Sequence, residues 1–162
     1  MAIKIRPLTR NDWDAVIRVA QALPQWFDDD ARQRAIPVDL RFQDGFIAEA
    51  GSEILGFITL YVAEGRVNIG WMGVLPGWHG QGIGGRLIAA AEDFCREQGI
   101  PELATYTLGD SVDYAPYSAT RAFYFAKGFT IYQRSQTDNP GCPEEIKIKK
   151  KISIDALDGN HG

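Results

Sequence analysis

Five of the nine residues from Gly77 to Gly85 are glycine: Gly77, Gly80, Gly82, Gly84 and Gly85. The segment separates two patterns of opposite kind. Before it, Val67–Val74 is a β-rich run. After it, Ile83, Leu87, Ile88, Ala91, Phe94 and Cys95 recur at helical spacing, with Arg86, Asp93, Arg96 and Glu97 on the other face. The chain therefore passes from a strand, through a turn with little side chain, into a helix predicted over 82–98. The first N–H groups of a helix have no partner inside it, and the helix dipole adds partial positive charge there. Without Cβ atoms, the glycines let a large anion approach the main chain. A strand, a glycine turn and a helix in this order make a cradle for phosphate or pyrophosphate.

The rest of the chain supplies a frame for that turn. Ala2–Arg6 reads as a short strand. Thr9-Arg10-Asn11-Asp12 resembles a capping box, with Asp12 in the place of the usual Glu or Gln. The helix it opens carries Trp13, Val16, Ile17, Ala20 and Leu23 on one face and stops at Pro24. A second helix is predicted within Gln25–Asp39. Phe46–Ala50, Ile54–Ala63 and Val67–Val74 are β-rich runs joined by Gly51-Ser52-Glu53 and Glu64-Gly65, which predicts an antiparallel meander. Past the glycine segment and its helix, Leu103–Leu108 is a strand and Gly109–Ala115 a loop. Pro116–Lys127 is a helix stopped by Gly128, with Ala119, Ala122, Phe123 and Ala126 as its expected core face and Tyr124 off that face. Phe129–Arg134 is a strand, Asn139–Pro143 a loop and Ile146–Ile154 a last strand. Its lysines, Lys147, Lys149, Lys150 and Lys151, read as a solvated sheet edge. The order is β-α-α-β-β-β-α-β-α-β-β, with no repeat and no linker. It predicts a single α/β (α+β) domain over 1–157, with a mixed, mostly antiparallel sheet of about seven strands and about four helices. Residues 158–162 are expected to fray.

Composition narrows the function classes. Of 162 residues, 45% are hydrophobic and 23% charged, as in ordinary soluble globular proteins. No apolar run approaches the ~20 residues that span a bilayer, and no cationic, apolar leader opens the chain. A cytoplasmic protein without a membrane partner is expected. The net charge of −4 argues against nucleic acid and mildly favours a cationic partner. Cys95 and Cys142 form no C-x-x-C pair and read as free thiols. His79 and His161 are too few for a histidine zinc site, and no metal is expected.

Three ligand readings and a purely structural one fit a glycine turn of this kind. A P-loop ends in Gly-Lys-Ser/Thr, which is absent. A dinucleotide fingerprint is formally matched by Gly80, Gly82 and Gly85, but a meander precedes it rather than a βαβ start. The third reading rests on two blocks. Val74-Leu75-Pro76, followed by His79-Gly80-Gln81-Gly82-Ile83-Gly84, resembles the signature of the GNAT superfamily of acetyl-CoA-dependent N-acetyltransferases. In that family a strand ending Val-x-Pro is followed by Gln or Arg, two residues, Gly, one residue, then Gly or Ala. His79 stands here in the Gln/Arg position. Phe123-Tyr124-Phe125-Ala126-Lys127-Gly128-Phe129 resembles the family's late Phe-Tyr-x-x-x-Gly-Phe. The order of elements, from the first strand through the one beginning at Phe129, is similar to the family's as well. Where the family often has Asn seven residues before the Tyr, this chain has Tyr117.

The resemblance implies direct transfer of acetyl from acetyl-CoA to an amine in a ternary complex, with most of the gain coming from holding the reactants together. It implies donor contacts at Met72, Gly73, Val74, His79, Gly80, Gln81, Gly82, Ile83, Gly84, Gly85, Tyr117, Tyr124 and Lys127. A strand splayed from its neighbour around Met72–Val74 is part of that picture, with a Val74 N–H for the developing oxyanion. Tyr124 would meet the departing sulfur, as a proton donor or as a hydrogen-bond donor. On reference values, full donation from phenol to thiolate is uphill by about 2 kcal/mol. An ammonium acceptor must lose a proton, which calls for a base. The central strands hold no acid, so Asp110 and Asp113 are the candidates, each also readable as a turn or cap residue, and His79 is weighed beside them. Trp26, Phe27 and Asp28, with Asp29 and Asp30, could face a cationic amine or could be buried aromatics at an Asp-rich helix start. Tyr106 and Tyr114 could extend an aromatic wall. The expected acceptor is a small-molecule amine or a peptide. A non-catalytic acyl-CoA-binding sensor is the alternative, and a homodimer through the last strand is possible.

Overall fold

The computed structural model describes residues 2–111, 113–140 and 142–154, so the expected fraying of 158–162 lies outside the described residues. Strand β1 (Ile3–Pro7) leads through a short 3-10 turn into α1 (Trp13–Gln21). A wide helical turn, Ala31–Ala35, runs on into α2 (Ile36–Asp39). Strands β2 (Asp44–Ala50), β3 (Glu53–Ala63) and β4 (Arg66–Val74) follow, then α3 (Ile83–Gln98), β5 (Glu102–Leu108), α4 (Ala115–Ala126), β6 (Thr130–Gln136) and β7 (Glu144–Lys151). The element order is the one the sequence implies. The strands form a seven-stranded mixed sheet in the order β1-β2-β3-β4-β5-β7-β6. Its β4–β5 pair is parallel, while β1–β2, β2–β3, β5–β7 and β6–β7 are antiparallel.

Residue contacts gather into two compact units. The first holds the chain up to Val62 together with Ile69–Phe94, and the second holds Ala63–Asn68 together with the described residues from Cys95 onward. In the first unit, α1 turns Val16, Val19 and Ala20 inward, and with Leu23 they join Ile47 of β2 and Phe57 of β3 in one core cluster. Each of the larger of these side chains, Ala20 apart, stabilises the fold by about 1.5–3 kcal/mol. The start of α1 is fixed as the capping box predicts. The Asp12 carboxylate accepts from the Thr9 N–H at 2.8 Å and from Arg6 at 2.8 and 2.9 Å. These bonds hold the buried carboxyl down at about 2, with the Arg6 guanidinium as the largest cause. The wide turn precedes Pro37, whose ring would collide with the carbonyl four residues back in a regular helix. There the Ile36 N–H reaches the carbonyl of Ala31, five residues back.

In the second unit, Glu64 and Gly65 both have positive φ (57° and 74°), as a two-residue hairpin turn requires. The Asn68 side-chain amide donates to the Ala63 and Arg66 carbonyls beneath that turn. Strand β7 corrects an expectation. It lies between β5 and β6, paired to both, so it is not a sheet edge. Its alternation reflects two faces. Ile146 and Ile148 are buried on one, while Lys149 on the other meets Glu102 at 2.8 Å. The Tyr132 ring lies under both the Arg66 guanidinium (4.9 Å) and the Lys149 ammonium (5.2 Å). Paired on both sides, β7 has no free edge to add to a second copy's sheet.

Helix α4 corrects a second expectation. Arg121 and Tyr124 are buried, whereas Ala119, Ala122 and Ala126 are exposed and Phe123 is half-buried. Burial of Arg121 is possible because its Nη1 donates to the Leu108 and Gly109 carbonyls at 3.0 and 3.1 Å, which supply the partners a buried cation needs.

Candidate functional site

The glycine turn belongs wholly to the first unit. Strand β4 ends at Met72, Gly73 and Val74. A Cβ on Gly73 would stand 2.6 Å from Leu23 Cδ1, so that face of the strand is core. The chain then crosses a single 3-10 turn, Pro76–Trp78, closed by the Trp78 N–H on the Leu75 carbonyl at 2.9 Å. Gly80 and Gly82 sit in the left-handed region at φ 78° and 79°, and a Cβ at either would meet no atom within 4 Å. Glycine is therefore required there by backbone torsion rather than by crowding. The Gly82 carbonyl accepts the Arg86 N–H at 3.1 Å, the first hydrogen bond of α3. The N–H groups of Ile83, Gly84 and Gly85 thus precede any intrahelical partner. Ile83 and Leu87 are buried and anchor the helix start, and Arg86 Nη1 ties it to the Ile3 carbonyl at 2.8 Å. Gln81 is exposed at the outer bend of the turn.

His79, in the Gln/Arg position of the resembled signature, is held by the protein itself. Its Nε2 lies 2.6 Å from the Val74 carbonyl, and Trp26 meets its ring edge-on at 5.6 Å. The aromatics and acids near Trp26 are largely taken up by structure. Phe27 is buried in the core and packs edge-on against Trp71 at 5.7 Å. Asp28 caps the following turn through the Ala31 N–H at 2.8 Å. Asp29 pairs with Arg32, and Asp30 with Arg34, which holds the Asp30 carboxyl below its ordinary value. The three acids therefore serve the helix start first. Trp26 is half-buried and packs against the same core, while Asp28, Asp29 and Asp30 are exposed.

The second unit holds the other residues singled out from sequence. Helix α4 ends in a Schellman motif. The Phe129 N–H reaches the Tyr124 carbonyl and the Gly128 N–H reaches the Phe125 carbonyl, both at 3.1 Å, with Gly128 at φ 96°. The Tyr124 and Phe129 rings meet at 5.2 Å, the hydrophobic contact that goes with this cap. The spacing Tyr-x-x-x-Gly-Phe is thus a helix stop that fixes the Tyr124 ring. Tyr124 is 7% exposed. Burial pushes its phenol up to about 12, opposed in part by a hydrogen bond with the Thr105 side chain. At neutral pH it is a phenol, able to donate. Asp110 accepts from Arg134 at 2.9 Å, and that guanidinium holds its carboxyl below the ordinary range. Asp113 is exposed in the same loop. Tyr114 and Tyr117 meet at 5.3 Å, Tyr106 stands half-exposed on β5, and Lys127 lies over the Phe123 ring at 5.8 Å. Arg121, missed in the sequence, holds the end of β5 one turn before Tyr124. An arginine three residues before a tyrosine in an alanine-rich helix gives no local sign of this.

Comparison with known proteins agrees with this layout. A family model described as an acetyltransferase (GNAT) domain matches residues 42–131, more than half of the chain. The chain belongs to the GNAT acetyltransferase family. Compared by sequence with curated proteins, it matches none. Among solved structures it is similar to a GNAT-family protein from Desulfovibrio desulfuricans (TM-score 0.79, 20% identity, covering 94% of this chain and 100% of that one). It is also similar to the PaiA N-acetyltransferase of Thermoplasma acidophilum in complex with coenzyme A (TM-score 0.70, 22% identity, 93% and 99%). A third is an aminoglycoside 6'-N-acetyltransferase complexed with coenzyme A (TM-score 0.72, 16% identity, 93% and 97%). These likenesses establish a shared fold. Among the described residues no helix is long and apolar enough to cross a membrane, and no group of three His, Cys, Asp or Glu side chains is arranged to hold a metal ion.

Proposed function

We propose that residues 1–157 act as an N-acetyltransferase domain that passes acetyl from acetyl-CoA directly to a primary amine of a small molecule or peptide. One observation carries this reading: the left-handed Gly80 and Gly82 open without side chains into the first turn of α3, inside the matched family domain. Coenzyme A in the Thermoplasma and aminoglycoside relatives supports the choice of donor. In this proposal the main-chain N–H groups of the turn and of Ile83–Gly85 bind the diphosphate. Met72, Gly73 and Val74 offer main chain to the thioester arm, and the Val74 N–H donates to the oxyanion. Tyr117 and Lys127 are further donor contacts on the second unit.

The amine nitrogen attacks the thioester carbonyl carbon. A C–N bond forms, the C–S bond breaks, and the thiolate leaves with a hydrogen bond from the Tyr124 phenol. Asp113 takes the amine proton, since Asp110 is occupied by Arg134. Trp26 on the first unit, and Tyr106 and Tyr114 on the second, are the aromatic surfaces assigned to the acceptor.

The test is calorimetric binding of coenzyme A, followed by thiol release from acetyl-CoA across polyamines, aminoglycosides, amino acids and peptide N-termini. Binding together with turnover on at least one amine is expected. A protein that does not bind coenzyme A, or binds it without turnover on every class, is not this enzyme.

A further inference from the structure

The peptide unit that joins β4 to the glycine turn, Val74–Leu75, is held at both polar ends. Its N–H, on Leu75, donates to the Leu55 carbonyl of β3 at 2.8 Å. Its carbonyl, on Val74, accepts from His79 at 2.6 Å. A carbonyl oxygen can only accept, so the His79 Nε2 carries the proton in this bond. The ring reaches back five residues to close the loop that contains Pro76, Gly77 and Trp78. It is kept from swinging outward by Trp26, which meets it edge-on at an interplanar angle of 82°. Trp26 is itself fixed at the end of α1 by its N–H on the Leu23 carbonyl at 3.1 Å.

We infer that His79 is a positioning residue, a side-chain clamp that sets the glycine turn on the last carbonyl of β4. Its place in the family signature suggests a ligand contact, but its Nε2–H is already committed to the main chain. Gly80 and Gly82 are the loosest points of the backbone in this segment, because glycine restricts φ least. A turn built on them presents its N–H groups in one direction only if something outside the glycines fixes the entry to the turn. The clamped Val74–Leu75 peptide does this on the strand side, and buried Ile83 does it on the helix side. Between these two anchors the amides are organised before any ligand arrives, which lowers the ordering cost of binding. This inference rests on the donor-binding reading of the turn for its consequence, but the clamp itself concerns the free protein.

The experiment compares wild type, His79→Ala and His79→Gln by two measurements. Hydrogen exchange of the peptide spanning residues 74–79, whose Leu75, Trp78 and His79 amides are hydrogen-bonded, is followed without ligand, and coenzyme A binding is followed by calorimetry. A glutamine amide can donate to the same carbonyl, and an alanine cannot. The expected result is faster exchange in His79→Ala, affinity for coenzyme A weaker by about three- to tenfold, the range of one net hydrogen bond, and recovery of both in His79→Gln. Unchanged exchange in His79→Ala overturns the clamp, even if affinity falls, because a direct phosphate contact would show no effect in the free protein. Failure of His79→Gln to recover overturns it too. If wild type does not bind coenzyme A, the functional reading fails, and the exchange measurement still decides the clamp.

Discussion

Replacing Tyr124 by Phe separates two versions of the chemistry. Burial holds the phenol up at about 12. A thiol near 8.5 lies about 3.5 units below that, so handing over a whole proton is uphill by about 5 kcal/mol. That is more than twice the penalty reference values suggest, and it favours a phenol that stabilises the leaving sulfur by donating a hydrogen bond while keeping its proton. A hydrogen bond to a charged partner contributes about 1.5–3 kcal/mol, so Tyr124→Phe should lower kcat by about 10- to 150-fold. Coenzyme A affinity should change little. The variant also deprives the Thr105 side chain of its partner, which should lower stability by about 1 kcal/mol in a denaturant melt. The assay is thiol release at saturating acetyl-CoA and acceptor, with calorimetry on the same preparations. Unchanged kcat would remove Tyr124 from the reaction. A loss near 10⁴-fold, the upper reach of general acid catalysis, would refute donation by hydrogen bond alone.

Two further outcomes are expected. Asp12→Asn should cost about 2 kcal/mol at pH 7, because a carboxyl held at about 2 against an ordinary 3.8 is worth that much in linkage. The depressed value means the contribution is complete above the unfolded value and is lost as pH falls toward 2, so urea melts of wild type and variant should converge in acid. A constant gap down to pH 2 would contradict the assignment. Gly82→Val should abolish coenzyme A binding in calorimetry while circular dichroism shows a folded chain, since the site is open and only the left-handed φ, at about 1–2 kcal/mol, opposes the side chain. Wild-type affinity in that variant would move the cradle elsewhere.

Features set by neighbours in sequence were legible, and those set by distant partners were not. The glycine turn, the Thr9–Asp12 cap and the Tyr124–Gly128–Phe129 stop each need only a few consecutive residues, so their spacing identifies them. The pairing of Asp30 with Arg34 is likewise a one-turn relation that the sequence contains. The position of β7 depends on which strands flank it. Alternating Ile and Lys marks two faces of a strand, but an internal strand with one wet face and an edge strand produce the same alternation. The buried side of α4 was misjudged because alanine tolerates either environment, while Arg121 is buried only by virtue of carbonyls thirteen and twelve residues away. His79 kept its place in the signature, yet its bond to Val74 arises from how the loop closes, which residue type alone does not reveal.

The wide turn at Ala31–Ala35 has a consequence for chain length. Ala31 and Ile36 are both buried, although positions five apart on a regular α-helix point about 140° away from each other. The surplus residue is absorbed locally, and the helix on either side keeps its phase. Deleting the exposed Gln33 would set Ala31 and Ile36 four apart, the ordinary interval for one face. Chains one residue shorter at this point, and without a proline at the place of Pro37, can therefore preserve the same interior, and an alignment gap here marks a change of pitch rather than of packing.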